Sequence, residues 1–470
     1  MMHSEEFRKY AHQAVDWVAD YLEGIEELPV KSTVKPGEVI EQIPALPPEN
    51  SEPFEDWMSD LEQKILPGIT HWQHPHFHAY FPGNSSYPSV IAEIITAGLG
   101  AQCMVWETSP AGAELEEQMM NWLKHLLDLP KAWDGVIQDT ASTATLAALL
   151  TARERCSDHK TNTQGFDHNC YRIYCSTETH SSIDKAVRIA GFGSDNLVKI
   201  EVDEAMSMIP SKLEAAISQD LEDGKVPCAV VGASGTTGTL AFDPLQALGE
   251  ICTKYDIWFH VDAAYAGTAM IVPEKRVLFE GVALADSFVF NPHKWMFTNF
   301  DCTAYFVKDK EQLIRTFEIL PEYLKNSTRG IVNDYRDWGI PLGRRFRALK
   351  LWFVMRAYGQ KGLVETLSKH CEFGDWVAEQ IRGHEQFELL CPPQLNMVVF
   401  RWKGAAEEQL NEFNTQLLQT INDTGKAYLS HTKVRGKYAI RLVMAQTRLE
   451  EHHVRDIWNL IQSSAASLKD

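Results

Sequence analysis

The run Ser287-Phe-Val-Phe-Asn-Pro-His-Lys294-Trp295 is a β-rich segment stopped by Pro292, with a lysine directly after the break. A lysine in such a place is ordinarily a solvated surface residue whose stem lies along apolar neighbours. Phe288, Phe290, Trp295 and Phe297 flank this one, and apolar surroundings lower an amine's pKa toward the nucleophilic form that Schiff-base chemistry needs. A second run, Ile257-Trp-Phe-His-Val-Asp262-Ala-Ala-Tyr-Ala-Gly267, brings out a carboxylate after mostly apolar residues. Alone, Asp262 reads equally as the cap of a following turn. Paired with Lys294, 32 positions later, it matches what pyridoxal phosphate requires: an amine for the aldehyde, and an acid that keeps the pyridine nitrogen protonated so that the ring accepts electrons.

Two further segments fit the same chemistry. In Gly135-Val-Ile-Gln-Asp139-Thr140-Ala141-Ser142-Thr143 a short strand feeds directly into a helix. The unpaired N–H groups of the helix start and the hydroxyls of Thr140, Ser142 and Thr143 would hold a phosphate without a lysine, although Thr and Ser are also ordinary N-caps. Asp139 would repel that phosphate and is expected to point away. In Ser176-Thr-Glu-Thr-His180-Ser-Ser a histidine follows a strand; it could stack on a cofactor ring and meet a substrate carboxylate, or simply be tied to local backbone.

The elements that must position these groups alternate. Short β-rich runs at 135–138, 171–176, 197–202, 228–233, 257–264, 287–291 and 303–307 are separated by helical segments, which implies an α/β fold with a mainly parallel sheet covered on both faces. Ligands in such sheets sit beyond the carboxyl ends of the strands, where all four motifs fall. Before the sheet, a helix opening at Ser4 carries the apolar stripe Phe7, Tyr10, Ala14, Trp17, Val18, Tyr21 and Leu22, and a Pro-rich connector follows at 29–53, so residues 1–86 read as an arm. A large domain at 87–350 precedes a small α+β domain at 351–470, with helices at 342–359 and 362–381 and β-rich runs at 397–402, 427–433 and 438–444. The apolar stretch 90–106 is broken by Glu93, Gly98, Gly100 and Gln102 and is expected as a buried helix rather than a membrane span.

The 470 residues suffice for a large core, and a net charge of −20 spread along the chain argues against nucleic acid or an anionic membrane as partner. No secretory signal is visible, and nine cysteines without a CxxC pair suit reduced thiols in the cytoplasm. His71, His74, His76 and His78 are spaced 3, 2 and 2 around Pro75, which gives no metal-binding face, so no metal is expected.

Together, Asn291-Pro-His-Lys294-Trp, His260-Val-Asp262-Ala-Ala-Tyr, Thr179-His180-Ser-Ser and Pro341-Leu-Gly-Arg-Arg-Phe-Arg347 resemble the aromatic-L-amino-acid decarboxylases, group II of the pyridoxal-phosphate decarboxylases. The likeness runs from His71-Trp72 and Ala79-Tyr-Phe-Pro82 to Arg441-Leu-Val-Met444. It implies the aspartate-aminotransferase-like fold type I, with a seven-stranded sheet, in a homodimer with interface active sites. By resemblance Lys294 is the Schiff-base lysine, Asp262 the partner of the pyridine nitrogen and His180 the ring-stacking histidine. Thr140, Ala141, Asn291 and His293 match phosphate-binding positions, while Thr236, Ala264 and Ser287 match other cofactor contacts. Trp72, Tyr80, Phe81 and Pro82 match the aromatic substrate pocket, completed by Gln102–Val105 of the neighbouring subunit, where Met104 replaces the usual aromatic.

The polar segment 317–330, bounded by Pro321 and Gly330, reads as a mobile lid. It is about two residues shorter than in the animal enzymes of the family. Tyr323 would ordinarily be an exposed loop aromatic; by resemblance it protonates the substrate α-carbon across the dimer. Aldehyde-forming relatives replace that tyrosine by Phe or the histidine by Asn, and both are retained here, which favours decarboxylation to an amine. Gly343 stands where plant relatives carry Gly with indolic substrates and Ser with phenolic ones, so tryptophan or 5-hydroxytryptophan is favoured, beside DOPA, tyrosine and phenylalanine. The rivals are an aromatic aldehyde synthase or histidine decarboxylase of the same fold, and an inactive interaction protein docking through its apolar arm.

Overall fold

The computed structural model describes residues 2–319 and 331–468. Two compact units are present: Met1–Pro82 with Glu379–Glu388 and Phe400–Asp470, and Gly83–Ala378 with Leu389–Val399. The second unit is built on a seven-stranded sheet of order β1-β7-β6-β5-β4-β2-β3. Its strands are β1 (Asp134–Gln138), β2 (Tyr171–Ser176), β3 (Leu197–Ile200), β4 (Val226–Ala233), β5 (Trp258–Asp262), β6 (Ser287–Phe290) and β7 (Thr303–Val307). The pairs β2–β3, β2–β4, β4–β5 and β5–β6 are parallel, and β7 runs antiparallel to both β1 and β6. The central strands lie between helices, so β4 and β6 are apolar on both faces and almost wholly buried.

The expected strands are all present, with shifted ends. β5 stops at Asp262, because the carboxylate Oδ1 accepts the Ala264 N–H (3.0 Å) and closes a turn. β3 stops at Ile200, and Val202 forms only an isolated bridge with Met208. The two helices expected at 342–359 and 362–381 form Arg347–Gly383, kinked at Gly359, whose positive φ of 63° breaks the helical path.

The stretch expected as a buried helix is Tyr87–Leu99, ended by Gly100 in the left-handed conformation. One of its faces is exposed, with Tyr87 at 55%, Ile91 at 52% and Leu99 at 60%. Apolar content identified the helix but could not tell a core face from one that needs another surface to cover it.

In the first unit the helix Ser4–Glu23 carries the predicted stripe, partly covered by the segment that follows. Tyr10 stacks on Phe54 (ring centroids 4.4 Å apart), Trp17 Nε1 donates to Glu62 (3.0 Å), and Tyr21 hydrogen-bonds His71 Nδ1 (2.8 Å), while Phe7 stays exposed. A second sheet has the order β10-β11-β9-β8, from β8 (Phe387–Leu389), β9 (Met397–Trp402), β10 (Ser430–Val434) and β11 (Lys437–Val443). β8 was not expected: three residues are too few to show an alternation. Among the described residues no helix is long and apolar enough to cross a membrane.

Candidate active site

Four of the predicted groups gather where β1, β2, β5 and β6 end. Asp262 is the last residue of β5, and its neighbour Ala264 accepts the Asn291 N–H (2.9 Å), which ties the ends of β5 and β6 together. Lys294 lies in the single helical turn Pro292–Trp295 after β6 and is half-buried. His180 follows β2, and its Nδ1 accepts the Ser182 N–H (3.1 Å) and contacts Ser182 Oγ (2.8 Å). An N–H can only donate, so Nδ1 is the bare nitrogen and the ring is held in one orientation. Burial pushes the His180 pKa below its ordinary value, the Asp262 carboxylate pulls it up and the Lys294 ammonium pushes it down. One imidazole thus feels both charges.

The helix Ala141–Cys156 starts directly after β1, with Thr140 as its N-cap, the Thr140 hydroxyl accepting the Thr143 N–H (3.3 Å). The Ala141 and Ser142 N–H groups have no intrahelical acceptor, as at any helix start, and Ser142 is exposed. Asp139 Oδ1 accepts the Thr140 N–H (2.6 Å), which draws the carboxylate onto the backbone just before the cap. Asn291 is buried, its side-chain oxygen accepting from Thr303 Oγ1 (2.8 Å). His293 is buried as well, and its Nδ1 accepts the Cys302 N–H (2.9 Å), which leaves the proton on Nε2.

Two further predicted contacts have hydroxyls bonded within the protein. Thr236 is buried, with its hydroxyl 3.1 Å from Thr239 Oγ1 and accepting the Ala241 N–H (3.0 Å). Ser287 opens β6 instead of ending it, and its buried Oγ accepts from Trp258 Nε1 (3.0 Å) and meets His260 Nδ1 (2.9 Å). His260 precedes Asp262 by two residues and shares its face of the strand, so Ser287 belongs to the layer beneath the carboxylate. Sequence reasoning also missed Ser234. Its N–H donates to the Asp262 C=O (2.8 Å), and its Oγ is buried without a hydrogen-bond partner.

Gly343 adjoins Gln102: the Arg344 N–H donates to Gln102 Oε1 (2.5 Å), and a Cβ on Gly343 would stand 3.4 Å from Gln102 Nε2. Next to Gln102, Cys103 donates its N–H to the Arg344 C=O (2.9 Å), and the Met104 C=O accepts from Arg336. In the other unit, Trp72 stacks on Phe77 (4.4 Å) and faces Tyr80 (6.0 Å), whose hydroxyl meets that of Tyr428 (3.1 Å). Phe81 is buried under the Arg441 guanidinium (5.2 Å), and Pro82 is buried beside it in sequence. Tyr323 lies outside the described residues.

One cluster bears on the expectation of no metal: Glu26, His452 and His453 bring potential ligand atoms within 4.8 Å of one another. His453 Nδ1 accepts the Glu450 N–H (3.0 Å), so its proton sits on Nε2, which faces Glu26 Oε2 (3.2 Å). Its two histidines also lie in the first turn of the helix Glu451–Ser467, whose dipole repels cations. This is the geometry of a helix cap with an acidic partner.

Burial keeps His260 and His293 neutral. His260 is pushed down to about 4 by burial against the pull of Asp262, and His293 to about 3 by burial and by the Lys294 charge. His74 and His76, also held down by burial, titrate near 4 and His78 near 3. As pH falls from the ordinary 6.5 toward these values, the unfolded chain takes up protons that the folded chain refuses, so stability drops. The unfolding free energy from urea titration is therefore expected to be lower at pH 5 than at pH 7, by up to roughly 1.4 kcal/mol per histidine per pH unit, with the midpoint falling in step; equal midpoints would show that these imidazoles protonate in place.

The donor set fits pyridoxal phosphate: an amine for the aldehyde, a carboxylate for the ring nitrogen, a fixed imidazole, and a helix N-terminus with hydroxyls for the phosphate. The orphaned Ser234 hydroxyl beside Asp262 marks a polar place in the protein with capacity for one more hydrogen bond. Comparison with known proteins agrees. Residues 36–403 match the model of the pyridoxal-dependent decarboxylase conserved domain. The chain is 42% identical to the aromatic-L-amino-acid decarboxylase of Mus musculus, over 99% of both chains. It is 40% identical to the phenylacetaldehyde synthase of Arabidopsis thaliana, over 99% of this chain and 97% of that protein. Among solved structures, Oryza sativa TDC with PLP and tryptamine superposes with a TM-score of 0.97 at 36% identity, over 100% of this chain and 99% of that one. The chain belongs to the pyridoxal-dependent decarboxylases.

Proposed function

We propose that this protein decarboxylates aromatic L-amino acids to the corresponding arylalkylamines and carbon dioxide, as a cytoplasmic homodimer. The observation that carries the reading is an oriented imidazole, His180, near enough to Asp262 and Lys294 to feel both charges, at the end of the sheet from which the helix Ala141–Cys156 also starts. Bound pyridoxal phosphate supplies an electron sink for the bond that breaks at the α-carbon.

The chain's own residues divide the remaining work. Thr140, Ala141, Ser142, Asn291 and His293 hold the phosphate, with Thr236, Ala264 and Ser287 supporting the rest of the cofactor's surroundings. Asp262 keeps a proton at the pyridine nitrogen, Lys294 offers the amine that binds the aldehyde, and His180 covers the ring and orients the substrate. Trp72, Tyr80, Phe81 and Pro82 receive the aromatic side chain, with Gln102 and Met104 contributed by the neighbouring subunit, and Gly343 sets the room for the ring. Tyr323 returns a proton to the α-carbon and keeps oxygen and water from competing for it. Retention of Tyr323 and His180 favours the amine over the aldehyde.

Residues 1–86 act as an arm packed on the partner subunit, 87–350 carry the cofactor, and 351–470 form the small domain. The exposed apolar face of Tyr87–Leu99 supports a dimer, since a lone soluble chain rarely leaves such a face open. All nine cysteines are free, which suits a reducing compartment.

The test is product analysis on a panel of aromatic amino acids with added pyridoxal phosphate. Amine and carbon dioxide are expected in equal amounts without peroxide; aldehyde with peroxide would overturn the reading. In the same panel Gly343→Ser is expected to lower kcat/KM for tryptophan relative to tyrosine by about tenfold. The fold admits the change, because the added Cβ makes ordinary contact at 3.4 Å from Gln102. An unaltered ratio would remove Gly343 from the substrate pocket.

A further inference from the structure

The geometry points to Asn84 as the residue that positions Lys294, acting through the backbone of the turn that carries it. Asn84 is fully buried, at 0% exposure, so it touches no solvent-borne ligand. Its N–H donates to the His293 C=O (3.1 Å), and its side-chain amide contacts the Lys294 C=O (2.8 Å). A carbonyl only accepts, so the amide presents its NH2 there. Both carbonyls belong to Pro292–Trp295, a single turn too short to satisfy its own C-terminal carbonyls; the Pro292 C=O receives the Met296 N–H from just beyond it (3.2 Å).

Two residues on, Ser86 Oγ donates to the C=O of Phe297 (2.7 Å), a residue held at φ 54°. The segment from Asn84 to Ser86 therefore grips three carbonyls between His293 and Phe297 from about 210 residues away in sequence. The other side of the turn is fixed by Cys302 on His293 and Thr303 on Asn291. With both sides held, the Lys294 Cα cannot swing and the amine leaves the backbone in one direction. Losing the Asn84 amide removes a donor from the part-buried Lys294 carbonyl, which loosens the turn that carries it.

This inference rests on Lys294 being the reactive amine, and its test separates the two claims. Asn84→Ala deletes the donor, whereas Asn84→Asp keeps the shape and sets an acceptor against the Lys294 carbonyl. A space-filling role would rank the isosteric Asp variant above Ala; the positioning role ranks it below. The expected kcat is about tenfold lower for Asn84→Ala and about 100-fold lower for Asn84→Asp, the latter being the scale of a misplacement of order 1 Å. KM for the amino acid is expected to stay within about twofold, because Asn84 does not reach it. Independently of any chemistry, hydrogen exchange in the cofactor-free protein is expected to quicken at residues 293–297 in both variants, with unchanged protection in β2 and β4. An Asp variant as active as the Ala variant, or exchange at 293–297 equal to the parent's, would overturn the assignment. Failure of the Lys294 reading would show instead as an active Lys294→Ala protein, with the exchange result still deciding whether Asn84 clamps the turn.

Discussion

Lys294→Ala is expected to give a folded protein that lacks the yellow colour of the parent and decarboxylates at least about 1,000-fold more slowly, a loss of ~4 kcal/mol of barrier lowering. The colour follows from conjugation between the aldehyde carbon and a lysine nitrogen, so it disappears when that nitrogen is removed, whatever the affinity for the phosphate. Pyridoxal phosphate should still bind, because the helix start at Ala141 and the carboxylate of Asp262 are untouched. Stability should change little: Lys294 is half-buried, and the turn around it is fastened through backbone groups that alanine retains. Visible absorption and initial rates on purified protein are the measurements. A coloured, active variant would assign the amine to another lysine.

Tyr323→Phe carries the second large effect. The change removes one O–H and keeps the ring, so the side chain's bulk is retained while the proton donor is lost. Carbon dioxide still leaves, but the electron-rich carbon waits for its proton and becomes exposed to oxygen. The balanced outcome is amino acid, oxygen and water giving aldehyde, carbon dioxide, ammonia and hydrogen peroxide. Amine output is expected to fall about 100-fold, the scale of a lost general acid, with aldehyde and peroxide rising in equal amounts. Oxygen uptake and product chromatography follow both. Undiminished amine formation would take the proton-returning role away from Tyr323.

Much of this site was readable before any coordinates. A β-rich run that closes on a carboxylate, or on a breaker with a lysine after it, places that residue at a strand's carboxyl end, and this located Asp262 and Lys294. The N-cap Thr140 and the helix it starts were readable from hydroxyls between a strand and an apolar helix. Periodicity reports faces and ends, but not the partner a side chain finds far along the chain. Hence periodicity did not show that Trp258 and His260 meet the Ser287 hydroxyl, or that Thr239 and Ala241 take up that of Thr236. Asn84 went unnoticed in a stretch of small polar residues, because its value lies in a carbonyl that sequence distance conceals. The outward face of Tyr87–Leu99 was misread for a related reason: apolar content signals burial, without saying whether the cover comes from the same chain.

Reductive trapping of the cofactor tests the central claim most directly. Borohydride converts the bond between the aldehyde carbon and the protein nitrogen into a stable secondary amine, and peptide mapping by mass spectrometry then locates the added group. The expected result is one pyridoxyl phosphate per chain on Lys294; an adduct on a different lysine, or none on a protein that remains active, would contradict the account.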